Sequence, residues 1–198
     1  MTEVLTISPH RPDAIGPGRL VLVVGPSGAG KDTLLGLAKA ACADDSGIVF
    51  ARRVVTREPS ASEDNEQVSH EAFRQAVADG GYAMHWEAHG HGYALSRAID
   101  DDIRAGHTVI ANVSRTVVAA TRCAYADVVV VSITAPPQVL AERLAMRARG
   151  SDGRIEARLG RTVDEAAAKP DVTIVNVSTA DYHARQLVRV IKGERWDD

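Results

Sequence analysis

The chain has 198 residues, with 26 acidic side chains against 23 basic ones and a formal net charge of −3. That length suits one domain. The 45% hydrophobic and 25% charged residues allow a packed core and exclude global disorder, and the mild acidity excludes a general nucleic-acid binder, which is normally basic. Aromatic residues make up only 4%, so the core rests on Val, Leu, Ile and Ala. Among the basic residues only Lys31, Lys39, Lys169 and Lys192 are Lys; the rest are Arg, and where they fall decides whether a local anion site exists.

No apolar run reaches the roughly 18 residues a membrane helix needs. Residues 1–18 contain Pro9, Pro12 and Pro17 and lack the basic start and apolar stretch of a signal peptide. They read as a flexible leader ahead of a single domain over 19–198. Cys42 and Cys123 are too few for a disulfide framework or a zinc cluster. Both lie in apolar helical contexts and read as buried free thiols in a reducing cytoplasm.

The elements then follow in order. Arg19 to Gly25 is a short Val-rich run that suits a strand buried on both faces. A Gly-rich turn leads into a helix from Lys31 to Ala43, and Ile48 to Val55 is a second strand. Thr56 to Gln67 is polar and reads as a loop. Ser69 caps a helix through Asp79 that Gly80-Gly81 ends. Tyr82 to Ala88 is a strand, Gly90 and Gly92 mark a loop, and Ser96 caps a helix through Ala105. His107 to Val113 is a strand, Ser114 to Ala124 a helix, and Asp127 to Thr134 a central strand. Pro136-Pro137 open a helix to Ala148, where an early Pro costs no hydrogen bond. After a loop at Gly150–Gly153 come another helix to Ala168, a last strand from Asp171 to Val177 and a last helix from Ala180 to Lys192. Strands alternating with helices predict an α/β fold with a mainly parallel sheet.

Gly25, Pro26, Ser27, Gly28, Ala29, Gly30 and Lys31 form G-x-x-x-x-G-K between an apolar strand and a helix, the phosphate-binding loop in its confirming context. Glycine lets the backbone curl so that successive N–H groups face a polyphosphate, the helix N-terminus adds its dipole, and Lys31 reaches the β- and γ-phosphates. The alternative is an ordinary strand–helix turn. With Gly near 7% of residues, a chance G-x4-G-K-D in a chain this long has odds of about 1 in 300. One position departs from the pattern. The hydroxyl expected after the Lys to ligate Mg²⁺ is replaced by Asp32, with Thr33 next, and the strand that should end in a metal-binding Asp ends in Asn112. Either Asp32 only caps the helix and Thr33 or water serves the metal, or the acidic metal contact has moved from the strand to Asp32, which holds Mg²⁺ directly or through water.

Arg143, Arg147, Arg149, Arg154, Arg158 and Arg161 cluster around Gly150–Gly153. A solvated face paired to Glu142 and Glu156 is the bland reading. Beside a phosphate loop, an arginine lid at about 147–160 that grips phosphate and excludes water is favoured, with Arg147, Arg149 and Arg158 as the contacts. A second group, Arg52, Arg53, Arg57 and Arg115, offers anchors for an acceptor phosphate. For Arg57 the alternative is a surface ion pair with Glu58 or Glu63. His85, His89 and His91 invite a metal site, but no Cys stands near and their loop is Gly-rich.

The phosphate loop, Thr56-Arg57, Trp86 with Gly90 and Tyr93, Pro136-Pro137 and the Arg143–Arg158 run resemble a guanylate-kinase-type fold over nearly everything after residue 18. Within it, Gly30-Lys31-Asp32-Thr33, Arg53-Val-Val-Thr56-Arg57 and Asn112-Val-Ser114-Arg115 are similar to the ribose 1,5-bisphosphate phosphokinase family. That resemblance implies a P-loop fold with a small acceptor-binding insertion at about 56–97. It also implies transfer of the ATP γ-phosphoryl group to ribose 1,5-bisphosphate to make 5-phosphoribosyl 1-diphosphate, often within phosphonate breakdown. Lys31, Arg147 and Arg158 would be catalytic, and the loop with Asp32, Thr33 and Arg149 would hold ATP and Mg²⁺, with Asp32 as metal ligand. Arg53, Arg57, Tyr93 and Arg115 would hold the acceptor. The guanine-reading Glu of guanylate kinases is His85 here, and a neutral His cannot accept two N–H donors as a carboxylate does. The Tyr-Gly pair of the fold is Tyr93-Ala94. The implied partner is a small phosphorylated sugar, with no nucleic acid and no membrane; nothing in the chain specifies an oligomeric state. The alternatives are a GMP kinase and a non-catalytic guanylate-kinase-like module that binds phosphorylated ligands. A regulatory GTPase would need an Asn-Lys-x-Asp motif that the chain lacks.

Overall fold

The computed structural model describes residues 13–58, 64–148 and 169–194. A five-stranded sheet forms the body, in the order β2-β7-β1-β8-β9: β2 is Ile48–Phe50, β7 Thr108–Asn112, β1 Ile15–Val24, β8 Tyr125–Thr134 and β9 Val172–Val175. Every pairing in it is parallel. A parallel sheet has to be covered on both faces, and β1 shows this in alternation. Leu20, Leu22 and Val24 join one buried cluster and Val21 and Val23 the other. The Val21 side packs against α1 (Lys31–Ala41), α5 (Pro137–Ala148) and α6 (Ala180–Ile191) through Leu34, Ala38, Leu140 and Leu187. The Leu22 side packs against α3 (Ala98–Arg104) through Ile99 and Ile103, against α4 (Val118–Ala124) through Val118, and against Met84, Trp86 and Leu95 of a second sheet.

That second sheet has the order β4-β3-β6-β5, with β3 at Arg53–Val55, β4 at Asn65–Gln67, β5 at Tyr82–Ala88 and β6 at His91–Ser96. It corrects three expectations. The single strand expected over Ile48–Val55 is two, because after Phe50 the chain leaves the parallel sheet and at Arg53 enters the second one. Part of the expected loop pairs with β3 as β4. The Gly90/Gly92 segment turns only as far as Gly90, and Gly92 is inside β6. A Cβ there would lie 2.7 Å from the Phe73 ring, which comes from α2 (His70–Ala78). The glycine is a packing residue rather than a loop marker. Ser69 caps α2 as expected, its hydroxyl accepting from the Ala72 N–H at 3.1 Å.

Two further expectations change. β1 begins at Ile15, paired with Tyr125, so the segment read as leader contributes its last residues to the sheet. Cys42 is buried but Cys123 is exposed; burial pushes the Cys42 thiol up from its ordinary value, with Lys192 pulling it the other way. Among the described residues no helix is long and apolar enough to cross a membrane.

A buried polar pair sits in the Leu22-side core. The Tyr125 hydroxyl donates to Asp100 Oδ1 at 2.5 Å, and Arg97 lies 3.3 Å from Oδ2. Burial and the Asp100 carboxylate together push the Tyr125 phenol well above its ordinary range, so it stays a donor. Tyr125→Phe leaves a carboxylate oxygen buried without its partner and is expected to cost about 1–3 kcal/mol of stability. Urea denaturation at neutral pH measures this, and a loss below about 0.5 kcal/mol contradicts it.

Candidate active site

The site forms at the carboxyl ends of β1 and β7, where ligands gather on open α/β sheets. The chain leaves β1 at Gly25, φ 145°, pressed so close to β8 that a Cβ would stand 2.0 Å from the Ile133 carbonyl oxygen. It re-enters regular structure at Gly30, whose left-handed φ of 88° turns it into α1. Lys31 opens the helix, and its ammonium donates to the Gly25 and Pro26 carbonyls at 2.9 Å each. A positive charge therefore sits across the mouth of the loop, beside the positive end of the helix dipole.

Asp32 follows with its side chain turned toward β7. Its Oδ1 accepts from Asn112 Nδ2 at 3.0 Å, and Arg53 Nη2 stands 3.8 Å from the same oxygen. Arg53, at the start of β3, also donates from Nε to Asn65 Oδ1 at 3.2 Å. Asp32, Arg53, Asn65 and Asn112 line one cavity of about 200 Å³, walled by Leu35, Phe50 and Ile110. At its rim Lys39 and Arg52 both reach Asp64, at 3.3 Å and 2.8 Å. Helix α1, strand β3 and the residues just before β3 and β4 thus bring charge to a single hollow, with the amides of Asn65 on β4 and Asn112 on β7 beside them.

The donor set suits Mg²⁺. The ion commonly takes one or two carboxylates and completes its shell with phosphate oxygens and water. Among the described residues Asp32 Oδ1 accepts a hydrogen bond from Asn112, so Oδ2 is the atom that could meet a metal, and Thr33 is exposed at the first turn of α1. No group of three or more His, Cys, Asp or Glu converges among the described residues. His85 is exposed on β5 opposite Ala94, whereas its neighbour Trp86 faces Tyr93 across the sheet, and His91 stacks on His70 at 6.3 Å.

The other expected site residues are spread more widely. Tyr93 stacks flat on Trp86, with ring centroids 5.7 Å apart and 9° between planes. Arg57 lies just beyond β3, with Nη1 donating to the Glu58 backbone carbonyl at 3.3 Å. Arg115 opens a short 3-10 turn after β7. None of these three lines the Asp32 cavity. The lid segment lies outside the described residues with Arg149 and Arg158, and Arg147 belongs to α5 with its side chain undescribed. Arg143, counted above with the lid, instead reaches the phosphate loop: Nη1 donates to the Gly28 carbonyl at 3.4 Å and Nη2 to the Asn176 carbonyl at 3.1 Å. Asn176 in turn donates from Nδ2 to the Ala29 carbonyl at 2.8 Å. Sequence reasoning missed Asn176 and Asn65. The available signal for Asn176 was an amide side chain just past a parallel strand, at the end of the sheet where the phosphate loop lies.

A parallel five-stranded sheet with a glycine loop carrying Lys at a helix N-terminus defines a P-loop kinase-type domain. A guanylate kinase from Anaplasma phagocytophilum has this fold, with a TM-score of 0.63 at 21% identity over 91% of this chain and 87% of its own. An APS kinase from Mycobacterium tuberculosis is more distant, at a TM-score of 0.51 and 16% identity over 89% of this chain and 99% of its own. No protein-family model matches the chain. Ribose 1,5-bisphosphate phosphokinase PhnN of Bradyrhizobium diazoefficiens is 64% identical over 99% of both chains, and that of Rhodopseudomonas palustris is 60% identical over 98% of both. The chain belongs to the ribose 1,5-bisphosphate phosphokinase family.

The Asp32–Asn112 contact predicts the effect of restoring an acid on the strand. Asn112→Asp replaces the donor to Asp32 with a second carboxylate, a repulsion that Arg53 at 3.8 Å offsets only in part, and is expected to lower stability by about 1–3 kcal/mol in EDTA. Denaturant unfolding at pH 8 checks this; a variant as stable as the parent shows that the two side chains do not meet.

Proposed function

We propose that the protein transfers the γ-phosphoryl group of ATP to the 1-phosphate of ribose 1,5-bisphosphate, giving ADP and 5-phosphoribosyl 1-diphosphate. The observation that carries this reading is the 64% identity, along nearly the whole of both chains, to a relative of that name. The complete Gly25–Lys31 loop supports it, because a module that only binds phosphorylated ligands has no need of a nucleotide site. The phosphonate metabolism associated with this family is the setting we assign, in the cytoplasm.

The chemistry asks little of the protein beyond alignment and charge. A phosphate monoester is mostly a dianion at neutral pH, so the acceptor oxygen is already a nucleophile and no general base is required. That oxygen bonds to the γ-phosphorus, the bond from phosphorus to the β–γ bridging oxygen breaks, and the electron pair leaves with ADP. The loop N–H groups and Lys31 hold the β- and γ-phosphates, and Arg147, Arg149 and Arg158 close over them and keep water out. Asp32 is the residue that would hold Mg²⁺, which when bound neutralises phosphate charge. Arg53, Arg57, Tyr93 and Arg115 orient the bisphosphate. GMP is disfavoured because an exposed His85 offers no carboxylate for guanine.

Coupled assay of ADP release with ribose 1,5-bisphosphate, GMP and no acceptor in parallel tests the reading; turnover with the first alone is expected. Lys31→Ala abolishes that turnover. Arg57→Ala or Arg115→Ala raises KM for the bisphosphate roughly tenfold or more, the value of a charge-assisted contact, with KM for ATP little changed. Normal acceptor kinetics in both Arg variants would remove them from the site.

A further inference from the structure

We propose that Asn176 is a positioning residue for nucleotide binding, holding the phosphate loop from behind in the curl that aims its N–H groups at the polyphosphate. The inference rests on the reading of Gly25–Lys31 as the nucleotide site and adds to it a residue from the far end of the chain.

Asn176 is buried and lies one position beyond β9. Its polar groups are tied to different parts of the fold. The backbone N–H donates to the Thr134 carbonyl at 2.7 Å, which extends the β8–β9 ladder. The backbone carbonyl accepts from Arg143 Nη2 of α5 at 3.1 Å. The carboxamide Nδ2 donates to the Ala29 carbonyl at 2.8 Å. Behind it, the turn is anchored to α6, where buried His183 accepts at Nε2 from the Ser178 N–H at 3.2 Å and meets Gln186 Oε1 through Nδ1 at 2.8 Å.

This arrangement decides which way the loop faces. A loop that binds phosphate through its N–H groups turns some of its carbonyls away from the ligand, and a buried carbonyl without a donor costs free energy. Ala29 is fully buried, and Asn176 supplies the donor its carbonyl needs. The same amide nitrogen would lie 2.5 Å from a Cβ placed on Gly30, so it backs both residues that precede Lys31. A peptide flip at 29–30 would point the carbonyl at the ligand phosphates and break this bond. An apolar residue could fill the volume but could not set that direction.

The test uses the full-length protein, its Mg²⁺–ADP and Mg²⁺–ATP affinities by isothermal titration calorimetry, and steady-state KM values for ATP and for the acceptor. Asn176→Ala is expected to weaken nucleotide binding roughly tenfold, the scale of a buried carbonyl losing its donor, and to raise KM for ATP with KM for the acceptor unchanged. Tyr125→Phe, remote from the loop, serves as a variant with lowered stability but normal nucleotide affinity. Loss of binding in both variants alike would mean that Asn176 acts only through global stability and would overturn the proposal. So would Asn176→Ala binding ADP within about twofold of the parent. If Asn176→Ala does not fold, Asn176→Asp reads the same contact. It keeps the shape but presents a carboxylate where Ala29 needs a donor, so it should bind nucleotide at least as poorly, and parent-like affinity would again overturn the proposal. A parent protein that binds no nucleotide would instead refute the reading of the loop itself.

Discussion

The parallel register of β1 between β7 and β8 is the constraint on which the rest of the site depends. Val23 lies beside Asn112 on one side and Val131 on the other, so β1 and β7 finish almost level. The chain must then turn at once, in a space where Gly25 already touches the Ile133 backbone. The turn leads into α1 with Lys31 over the loop and Asp32 within reach of Asn112. Displacing that register would separate Asp32 from Asn112 and carry Arg53 away with the second sheet. The hydrophobic alternation along β1 prevents this, because each one-residue slip would exchange the side chains facing α1 and α6 with those facing α3.

The charge distribution follows from the same geometry. A formal net charge of −3 conceals a hollow in which Arg53 and Asn112 share one carboxylate oxygen of Asp32. The surface pairs at the rim, Lys39 and Arg52 with Asp64, contribute little individually to stability. Their consequence is local: they line the rim of the cavity with groups of both signs. Closer to the loop, Lys31 is held by the Gly25 and Pro26 carbonyls and Arg143 by those of Gly28 and Asn176. Pre-placed donors of this kind need little reorganisation when an anion arrives.

Local signals were read well and non-local ones poorly. The phosphate loop, the Ser69 cap and the Tyr82–Ala88 strand follow from a few adjacent residues and appear where the pattern places them. The break between Phe50 and Arg53 was invisible because an unbroken β-prone run carries no mark of which sheet each half joins. Gly92 misled because glycine serves turns and close packing equally, and only the Phe73 ring tells them apart. Asn112 was legible as a departure from an acidic strand end, yet its partner could be identified only once α1 and β7 were seen side by side. Asn176 had no local signal beyond its place after a strand, since its partner lies on the first loop of the chain. Family resemblance supplied the acceptor, which no pattern of charges specifies.

The central claim is that the phosphoryl group passes from a nucleotide held on the Gly25–Lys31 loop to a phosphate oxygen of a bisphosphorylated sugar. ³¹P NMR of the protein with Mg²⁺–ATP and ribose 1,5-bisphosphate observes that transfer most directly. Loss of the ATP signals should be matched by ADP and by a new coupled pair of diphosphate resonances on the sugar. ADP and inorganic phosphate with no diphosphate on the sugar, or no change beside brisk conversion of GMP to GDP, would contradict the account.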